Sequence, residues 1–261
     1  MPATDTADVI LTHDDGGVRT ITMNRPDRLN AFNSALFAGL GDALDTAAED
    51  DSVRVVVVTG AGRAFSAGAD LEEMGHGRSP ASSASGEGQN PFDKLQAVAE
   101  AFPKPLIGAV NGLGVGLGFT MLGYFDFCFV AQSARLRTPF SQLGLSPEAS
   151  SSYLFPLRMG WSAAARALML GDWFNAEDVV ASGLAQKVVP DNELQGVTLA
   201  FAKRLAECPL QSLVATKALM LRAHLEAIRA VRSLERDSLQ RLVGTEANRE
   251  ALRAFASRRT K

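Results

Sequence analysis

Hydrophobic and polar positions at the start of the chain predict a β-hairpin, then a helix, then a buried strand. Two runs of strand-forming residues, Val9 to His13 and Val18 to Asn24, flank a turn of two aspartates and two glycines, which is typical of a hairpin. Apolar residues then recur with the helical period, and Asn33 or Ser34 is placed to cap that helix. Val53 to Val58 is rich in valine, as a strand buried on both faces would be.

Two later stretches each have the pattern of a short strand that turns sharply into a helix. The first, Ala64 to Met74, consists largely of small residues and places Asp70 in the first turn of its helix. The second, Leu106 to Thr120, begins with the apolar run Leu106 to Val110 and continues through alternating glycines into a segment of helical length. Glycine lacks a β-carbon, so it suits positions where the backbone bends or another group comes close.

The rest of the chain alternates strand and helix patterns and ends in helices. Strands are predicted at Phe125 to Val130, Arg135 to Thr138 and Gln186 to Val189, and helices at Pro91 to Phe102, Trp161 to Leu170 and Ala176 to Ser182. Two segments lack periodicity: Gly75 to Gln89, which predicts a mobile loop, and Thr138 to Pro156, which is rich in turn residues. Four late helices are predicted: Leu194 to Glu207, Leu213 to Ile228, Leu234 to Val243 and Thr245 to Ser257. This pattern predicts an α/β core in residues 1–190 and a helical region in residues 191–261.

The composition is that of an ordinary globular protein and argues against several partners. Of the 261 residues, 46% are hydrophobic, and the net charge of −3 gives no electrostatic basis for binding nucleic acid. No apolar run reaches membrane-spanning length and the first residues lack a signal-peptide pattern, so we expect a cytoplasmic protein without membrane contact. Cys128 and Cys208 have neither the number nor the spacing of a disulfide framework or zinc site, and both are expected to be buried free thiols.

The glycine-rich junction at Leu106 to Thr120 permits two interpretations. The first N–H groups of a helix have no partner inside the helix, so such a helix start can hold a developing negative charge. Glycines equally allow a helix to pack closely on a strand. The spacing fits no dinucleotide-binding G-x-G-x-x-G pattern, because Leu117 and Phe119 fall where the third glycine belongs, and no Gly-Lys-Ser/Thr follows for a phosphate loop.

Among the titratable side chains, Glu148 is the strongest candidate for acid–base chemistry. The three histidines lie in no nucleophile elbow and form no paired metal motif, which argues against a serine hydrolase and a zinc enzyme. Glu148 has apolar residues such as Leu145 and Phe155 nearby in sequence, and an apolar environment would raise the pKa of a carboxyl group and suit it to proton transfer. Its position after Pro147 fits an ordinary helix-start acid equally well.

The two strand-turn-helix junctions together carry a resemblance to a known family. AFSAGADLEEM at Ala64 to Met74 and NGLGVGLGF at Asn111 to Phe119 resemble the paired oxyanion motifs of the enoyl-CoA hydratase/isomerase (crotonase) superfamily. NRPDRLNAF at Asn24 to Phe32 and the later stretch MLGDWFNAEDVVASGLAQKVV extend the resemblance over nearly the whole chain. It implies a crotonase fold of repeated β-β-α turns, a C-terminal helical region that makes trimer contacts, an acyl-CoA thioester as substrate, and no metal or redox cofactor.

The resemblance also implies roles for single residues. The backbone N–H groups of Ala69 and Leu117 would hold the thioester oxygen as it becomes an enolate. Contacts to coenzyme A, at its phosphates and adenine, would come from Arg28 and from the segment made of Ala67, Gly68, Asp70 and Leu71, with Gly116 beside the second N–H group. Arg28 also fits a plain surface charge.

The acids depart from the hydratase pattern. Hydratases of this superfamily use two glutamates, and the matching positions here hold Thr120 and Phe140, neither of which is an acid or base at neutral pH. TPFSQLGLSPEASSSYLFP instead resembles the peroxisomal-type Δ3,Δ2-enoyl-CoA isomerases, in which the glutamate of the SPE motif, here Glu148, is the single catalytic base. The resemblance therefore implies an isomerase of fatty acid β-oxidation that forms trimers or dimers of trimers. A hydratase or another acyl-CoA enzyme of the superfamily, and a non-catalytic acyl-CoA-binding protein, remain alternatives.

Overall fold

The computed structural model describes residues 8–70 and 90–259, in which short strands and helices alternate along the chain. The strands in these ranges are β1 (Ile10–Asp15), β2 (Val18–Met23), β3 (Val55–Gly60), β4 (Ala64–Ser66), β5 (Leu106–Val110), β6 (Leu113–Val115), β7 (Phe127–Ala131), β8 (Arg135–Arg137), β9 (Phe174–Asn175) and β10 (Lys187–Val189). The helices are α1 (Ser34–Glu49), α2 (Pro91–Ala101), α3 (Leu117–Thr120), α4 (Ser151–Ala165), α5 (Ala176–Ala181), α6 (Leu194–Ala206), α7 (Leu210–Arg222), α8 (Leu225–Leu242) and α9 (Glu246–Arg259).

The strands of the described ranges form two sheets. The larger has the order β1-β2-β3-β5-β7-β10 and is parallel except for the β1–β2 hairpin. The smaller has the order β4-β6-β8-β9, in which β4, β6 and β8 run parallel. Because β4 and β6 each follow a strand of the larger sheet, the chain passes from one sheet to the other at both predicted junctions.

The core lies on both faces of the larger sheet. Every residue of β3 and β5 is buried, as the valine-rich and apolar sequences of these two central strands require. Helices α1 and α2 cover part of it, with the ring of Phe37 meeting that of Phe92 edge to face at 5.4 Å between centroids. Helix α6 packs against β7, where Phe201 lies 5.0 Å from Phe127, again between ring centroids. Every helix in the described ranges is too short or too polar to serve as a membrane-spanning segment.

The α/β architecture predicted from the sequence is confirmed, and several elements match closely. The hairpin forms, the side chain of Asn33 caps α1 by accepting from the Leu36 N–H at 2.9 Å, and β5 has the predicted bounds. The helix predicted to follow Asp70 and the loop predicted at residues 75–89 lie outside the described residues. The division of the chain at residue 190 stays a prediction.

Other element predictions were wrong. The turn-rich stretch up to Pro156 becomes helical at Ser151, and that helix contains Pro156 and a non-helical Gly160, which hide it from a periodicity search. The short strands β6 and β9 were missed, since two or three residues carry no period. The single helix predicted at residues 213–228 is interrupted between α7 and α8. Cys128 is buried as expected, whereas Cys208 is exposed just before α7.

Candidate active site

The first junction leaves one backbone N–H group of its turn unused. The N–H of Ala67 donates to the Leu29 carbonyl at 2.9 Å, and the N–H of Asp70 donates to the Phe32 carbonyl at 2.9 Å. The N–H of Gly68 is taken by the hydroxyl of Ser66 at 3.1 Å. Within residues 8–70 and 90–259 the N–H of Ala69 donates to no acceptor, so the turn presents this group alone.

Asn30 and Arg25 hold the turn in this shape, and the sequence analysis missed both. Asn30 is fully buried in a left-handed conformation, and its amide donates to the carbonyls of Ala61 and Ala64 at 2.9 and 2.8 Å. Arg25 forms an ion pair with Asp70 at 3.1 Å. An asparagine in a turn is a known signal for the left-handed conformation, but its partners lie 31 and 34 residues away in sequence.

The second junction presents an N–H group in the same way. Gly116 has a φ of +54°, which favours glycine, and its own N–H donates to the Arg137 carbonyl at 2.9 Å. Helix α3 begins at the next residue, so the N–H of Leu117 has no partner inside the helix and none elsewhere in the described chain. A helix start of this kind carries partial positive charge.

The two junctions touch through glycines on both sides. A β-carbon on Gly68 would lie 2.5 Å from the Val115 carbonyl oxygen, and one on Gly118 would lie 2.2 Å from the Ser66 carbonyl oxygen. No side chain fits at either place, so the close-packing interpretation of the glycine run is confirmed. Ala69 follows β4 and Leu117 follows β6, and these two strands are parallel neighbours in the smaller sheet. The two unused N–H groups therefore lie beyond the carboxyl ends of adjacent strands. That they hold an anion stays a prediction.

Glu148 lies in the turn before α4, where burial and the negative charge of Glu235 raise the pKa of its carboxyl group to about 8. It lines a small cavity together with Ala149 and side chains of α2 and α8. An apolar cavity that contains Leu117 shares two lining residues with it, Phe92 and Gln96 on α2. The cavity beside Leu117 and the cavity beside Glu148 therefore both border helix α2.

The two positions that the resemblance assigns to the hydratase glutamates, Thr120 and Phe140, lie in the core. Thr120 is fully buried, and its hydroxyl donates to the Gly116 carbonyl at 3.3 Å. Phe140 is also buried. Neither side chain can activate a water molecule.

The remaining predicted contacts for coenzyme A lie near the first junction or outside the described residues. Arg28 is exposed in the turn that ends just before Leu29, the residue that accepts from the Ala67 N–H. Leu71 lies outside the described residues. The arrangement as a whole offers two backbone donors for a developing oxyanion and one carboxyl group for proton transfer.

Comparison with known proteins gives a consistent result. Residues 13–261 match the family described as "Enoyl-CoA hydratase/isomerase". "Enoyl-CoA delta isomerase 2" of Rattus norvegicus is 34% identical over 97% of this chain, which spans 64% of the rat protein's length. "1,2-epoxyphenylacetyl-CoA isomerase" of Escherichia coli K12 is 35% identical over 96% of both chains. The crystal structure of an enoyl-CoA hydratase/isomerase from Pseudoalteromonas atlantica T6c superposes with a TM-score of 0.89 at 29% identity, covering 96% of this chain and 97% of that one.

Proposed function

Because this chain belongs to the enoyl-CoA hydratase/isomerase family, we propose that it is an isomerase that moves the double bond of a 3-enoyl-CoA to give the trans-2-enoyl-CoA. The observation that carries this proposal is the placement of acids. Glu148 has a pKa of about 8, while the positions that the family resemblance assigns to the two hydratase glutamates hold Thr120 and Phe140. One carboxyl group is enough for a 1,3-proton shift, whereas hydration also needs a group that activates water.

In the proposed reaction Glu148 acts first as base and then as acid. Its carboxylate removes a proton from C2, and the electron pair moves into the thioester carbonyl to form a dienolate. The N–H groups of Ala69 and Leu117 donate to the dienolate oxygen, a stabilisation that is strongest in the transition state. Protonated Glu148 then delivers the proton to C4, and the double bond is left between C2 and C3. A pKa near the working pH serves both steps.

The small apolar cavity beside Leu117 supports a water-free environment for the dienolate. Its lining is almost entirely hydrophobic, with Leu40 and Leu44 from α1, Leu95 from α2 and Met121 after α3. Such a lining excludes water from the dienolate. Arg28, Ala67, Gly68 and Asp70, which we propose as contacts for coenzyme A, lie at or beside the first junction, and Gly116 lies at the second. No metal or redox cofactor enters this mechanism.

The proposal is tested with Glu148→Gln, which keeps the size of the side chain and removes the base. We expect conversion of a 3-enoyl-CoA, followed by the ultraviolet absorbance of the conjugated thioester, to fall by about 10³-fold or more, since general acid–base catalysis contributes roughly 10² to 10⁴. Binding of a saturated acyl-CoA, measured by calorimetry, should persist. Turnover of E148Q near the wild-type rate would remove Glu148 from the mechanism, and release of a 3-hydroxyacyl-CoA from a 2-enoyl-CoA would identify a hydratase.

A second candidate is isomerisation of an epoxide of an arylacetyl-CoA. The observation in its favour is the E. coli epoxyphenylacetyl-CoA isomerase, which this chain matches over 96% of both lengths, whereas it spans only 64% of the rat enoyl-CoA isomerase. The two candidates use the same thioester anchor and differ in the acyl group. Parallel assays with a 3-enoyl-CoA and an arylacetyl-CoA epoxide separate them by the ratio of kcat/KM values.

We further propose that the protein works as a trimer or a dimer of trimers. Several large apolar side chains are exposed on the described chain, which a single copy leaves in contact with water. They include Trp161, Met169, Leu170, Leu219 and Met220. Sedimentation equilibrium measures the assembly directly, and a monomer at micromolar concentration would contradict it.

A further inference from the structure

The turn that carries Glu148 is held in an unfavourable backbone conformation. The two residues after Glu148, Ala149 and Ser150, both have positive φ angles, +58° and +53°. For residues other than glycine this costs roughly 1–2 kcal/mol each. Such a conformation persists only when contacts from elsewhere hold it, and it is common where a functional group must be placed.

Glu235 on helix α8 accepts three of the hydrogen bonds that hold this turn, and the Ser150 hydroxyl also donates to the Ile228 carbonyl at 3.3 Å. The N–H of Ser150 donates to one carboxylate oxygen of Glu235 at 2.7 Å. The N–H and the hydroxyl of Ser152 donate to the other oxygen at 2.8 and 2.6 Å. Glu235 is itself buried, so the three hydrogen bonds are shielded from water. The carboxylate thus caps the start of α4 from outside the helix and holds Ser150, the second of the two strained residues.

We propose that Glu235 is a positioning residue for the reaction: its carboxylate, held by the backbone of Ser150 and Ser152, aims the carboxyl group of Glu148 into the site. This inference rests on the proposed function, because it takes Glu148 as the catalytic base. It assigns to the C-terminal helical region a role in catalysis in addition to its expected role in assembly.

The charge of Glu235 acts in the same direction as its geometry. Burial raises the pKa of Glu235, but its serine donors favour the ionised form and lower it. Burial is the larger of these effects, so the pKa of Glu235 is raised overall. When Glu235 is ionised, its negative charge opposes the ionisation of Glu148 and raises the pKa of that carboxyl group. The other charged or titratable groups around Glu235 are Asp93, Glu100 and Tyr124 from the core side and Arg229, Arg232 and Arg236 on α8.

Those neighbours are largely paired with one another. Arg232 donates to Glu100 at 3.1 Å, and Arg236 lies 3.7 Å from Asp93. Glu100 is buried, its pKa is raised by burial, and it reaches the Ser150 hydroxyl at 3.5 Å. The arginines therefore compensate the carboxylates of α2, and Glu235 remains the carboxylate whose charge bears on Glu148.

The test compares two substitutions that separate geometry from charge. Glu235→Gln keeps the size but has one acceptor oxygen, so its amide NH₂ must face a backbone N–H. We expect kcat for a 3-enoyl-CoA to fall about 10²-fold, as for a small displacement of a catalytic group, with KM less affected. The rising limb of the pH profile should also move to lower pH, because the charge that raises the pKa of Glu148 is gone. Glu235→Asp keeps the charge but is one methylene shorter, so kcat should fall while the limb stays in place.

The matched control is Glu226→Gln, the same change on the exposed side of α8, which should leave both kcat and the pH profile unchanged. If E148Q retains turnover, the base assignment fails independently of Glu235. If E148Q is inactive, two results for E235Q would overturn the positioning proposal alone. One is a kcat within about twofold of wild type, and the other is a pH profile whose rising limb does not move. Should E235Q fail to fold by circular dichroism, E235D decides: wild-type kcat overturns the proposal, and a lowered kcat with an unshifted limb supports it.

Discussion

At Glu148, burial and a neighbouring carboxylate act in the same direction, because both disfavour the charged form. The first effect comes from the packing of the core around the turn. The second comes from Glu235, which is far from Glu148 in sequence but packs against the same turn. A carboxyl group with an ordinary pKa would be fully ionised at neutral pH but would be a weaker base for the C2 proton. A glutamate is therefore not suited to this proton transfer by its residue type alone, because the raised pKa comes from the surroundings of Glu148.

The pH dependence of activity follows from this pKa. Because Glu148 must be ionised to remove the C2 proton, kcat/KM for a 3-enoyl-CoA should rise with pH through an apparent pKa of about 8 and level off above it. Blanks without enzyme correct for hydrolysis of the thioester at alkaline pH. A profile that rises instead around 4.5, the ordinary pKa of a glutamate, would contradict the assignment.

The same carboxyl group should make stability depend on pH. Its pKa is 4.5 when exposed in the unfolded chain and about 8 in the fold, so the folded state binds more protons between these values and loses stability as pH rises through them. E148Q cannot ionise. We therefore expect it to be more stable than wild type by roughly 2–4 kcal/mol above pH 8 and equal at about pH 4.5. Urea unfolding at both pH values measures this, and a pH-independent difference would argue against the raised pKa.

At the scale of elements, the candidate site is built where the turns that follow β4 and β6 meet. Each junction supplies a glycine that the other approaches with a carbonyl oxygen, and each keeps one backbone N–H unused. The proposed oxyanion donors are main-chain groups, so a leucine at position 117 offers the same N–H group as a glycine would. Their placement follows from the pairing of β4 with β6 and, at the first turn, from the side chains of Asn30 and Arg25.

The contact between the junctions can be tested at Gly118. In Gly118→Ala the new β-carbon would lie 2.2 Å from the Ser66 carbonyl oxygen, so the two junctions must move apart. We expect kcat/KM to fall by about 10²-fold or more, as when an oxyanion donor is lost, and stability to fall by roughly 1–3 kcal/mol. The matched control is Gly196→Ala on α6, where a β-carbon meets nothing within 4 Å. That variant should keep full activity and gain roughly 0.5–1 kcal/mol.

Local patterns predicted those elements whose cause is local. Strand β5 was predicted to the residue because Pro105 and Asn111 bound a continuous apolar run, and Asn33 was found from cap chemistry. The start of α4 was missed because its cap is a carboxylate 85 residues away in sequence from Ser150. The local motif around Glu148 was enough to indicate a base. The roles of Glu235 and Asn30 depend on partners far away in sequence, so no local pattern indicated them.

At the scale of the whole molecule, helices of the C-terminal region are each anchored in the core. On α6, Phe201 packs on two aromatic rings of β7. On α7, Lys217 is buried and donates to Asp126 at 2.8 Å and to the Lys104 carbonyl at 3.0 Å. On α8, Glu235 holds the turn of Glu148. Because these contacts join the two regions, unfolding of one region removes contacts that stabilise the other.

We therefore predict that residues 1–190 and 191–261 unfold together. The two tryptophans, Trp161 and Trp173, both lie in the first region, so their fluorescence reports on it alone, while far-ultraviolet circular dichroism also reports on the late helices. Lys217→Met leaves Asp126 without its buried partner and should cost roughly 3 kcal/mol, shifting both transitions equally at fixed protein concentration. Adding Asp126→Asn should recover part of the loss, because no uncompensated charge remains. If K217M shifts the dichroism transition but not the fluorescence transition, the two regions are separate folding units.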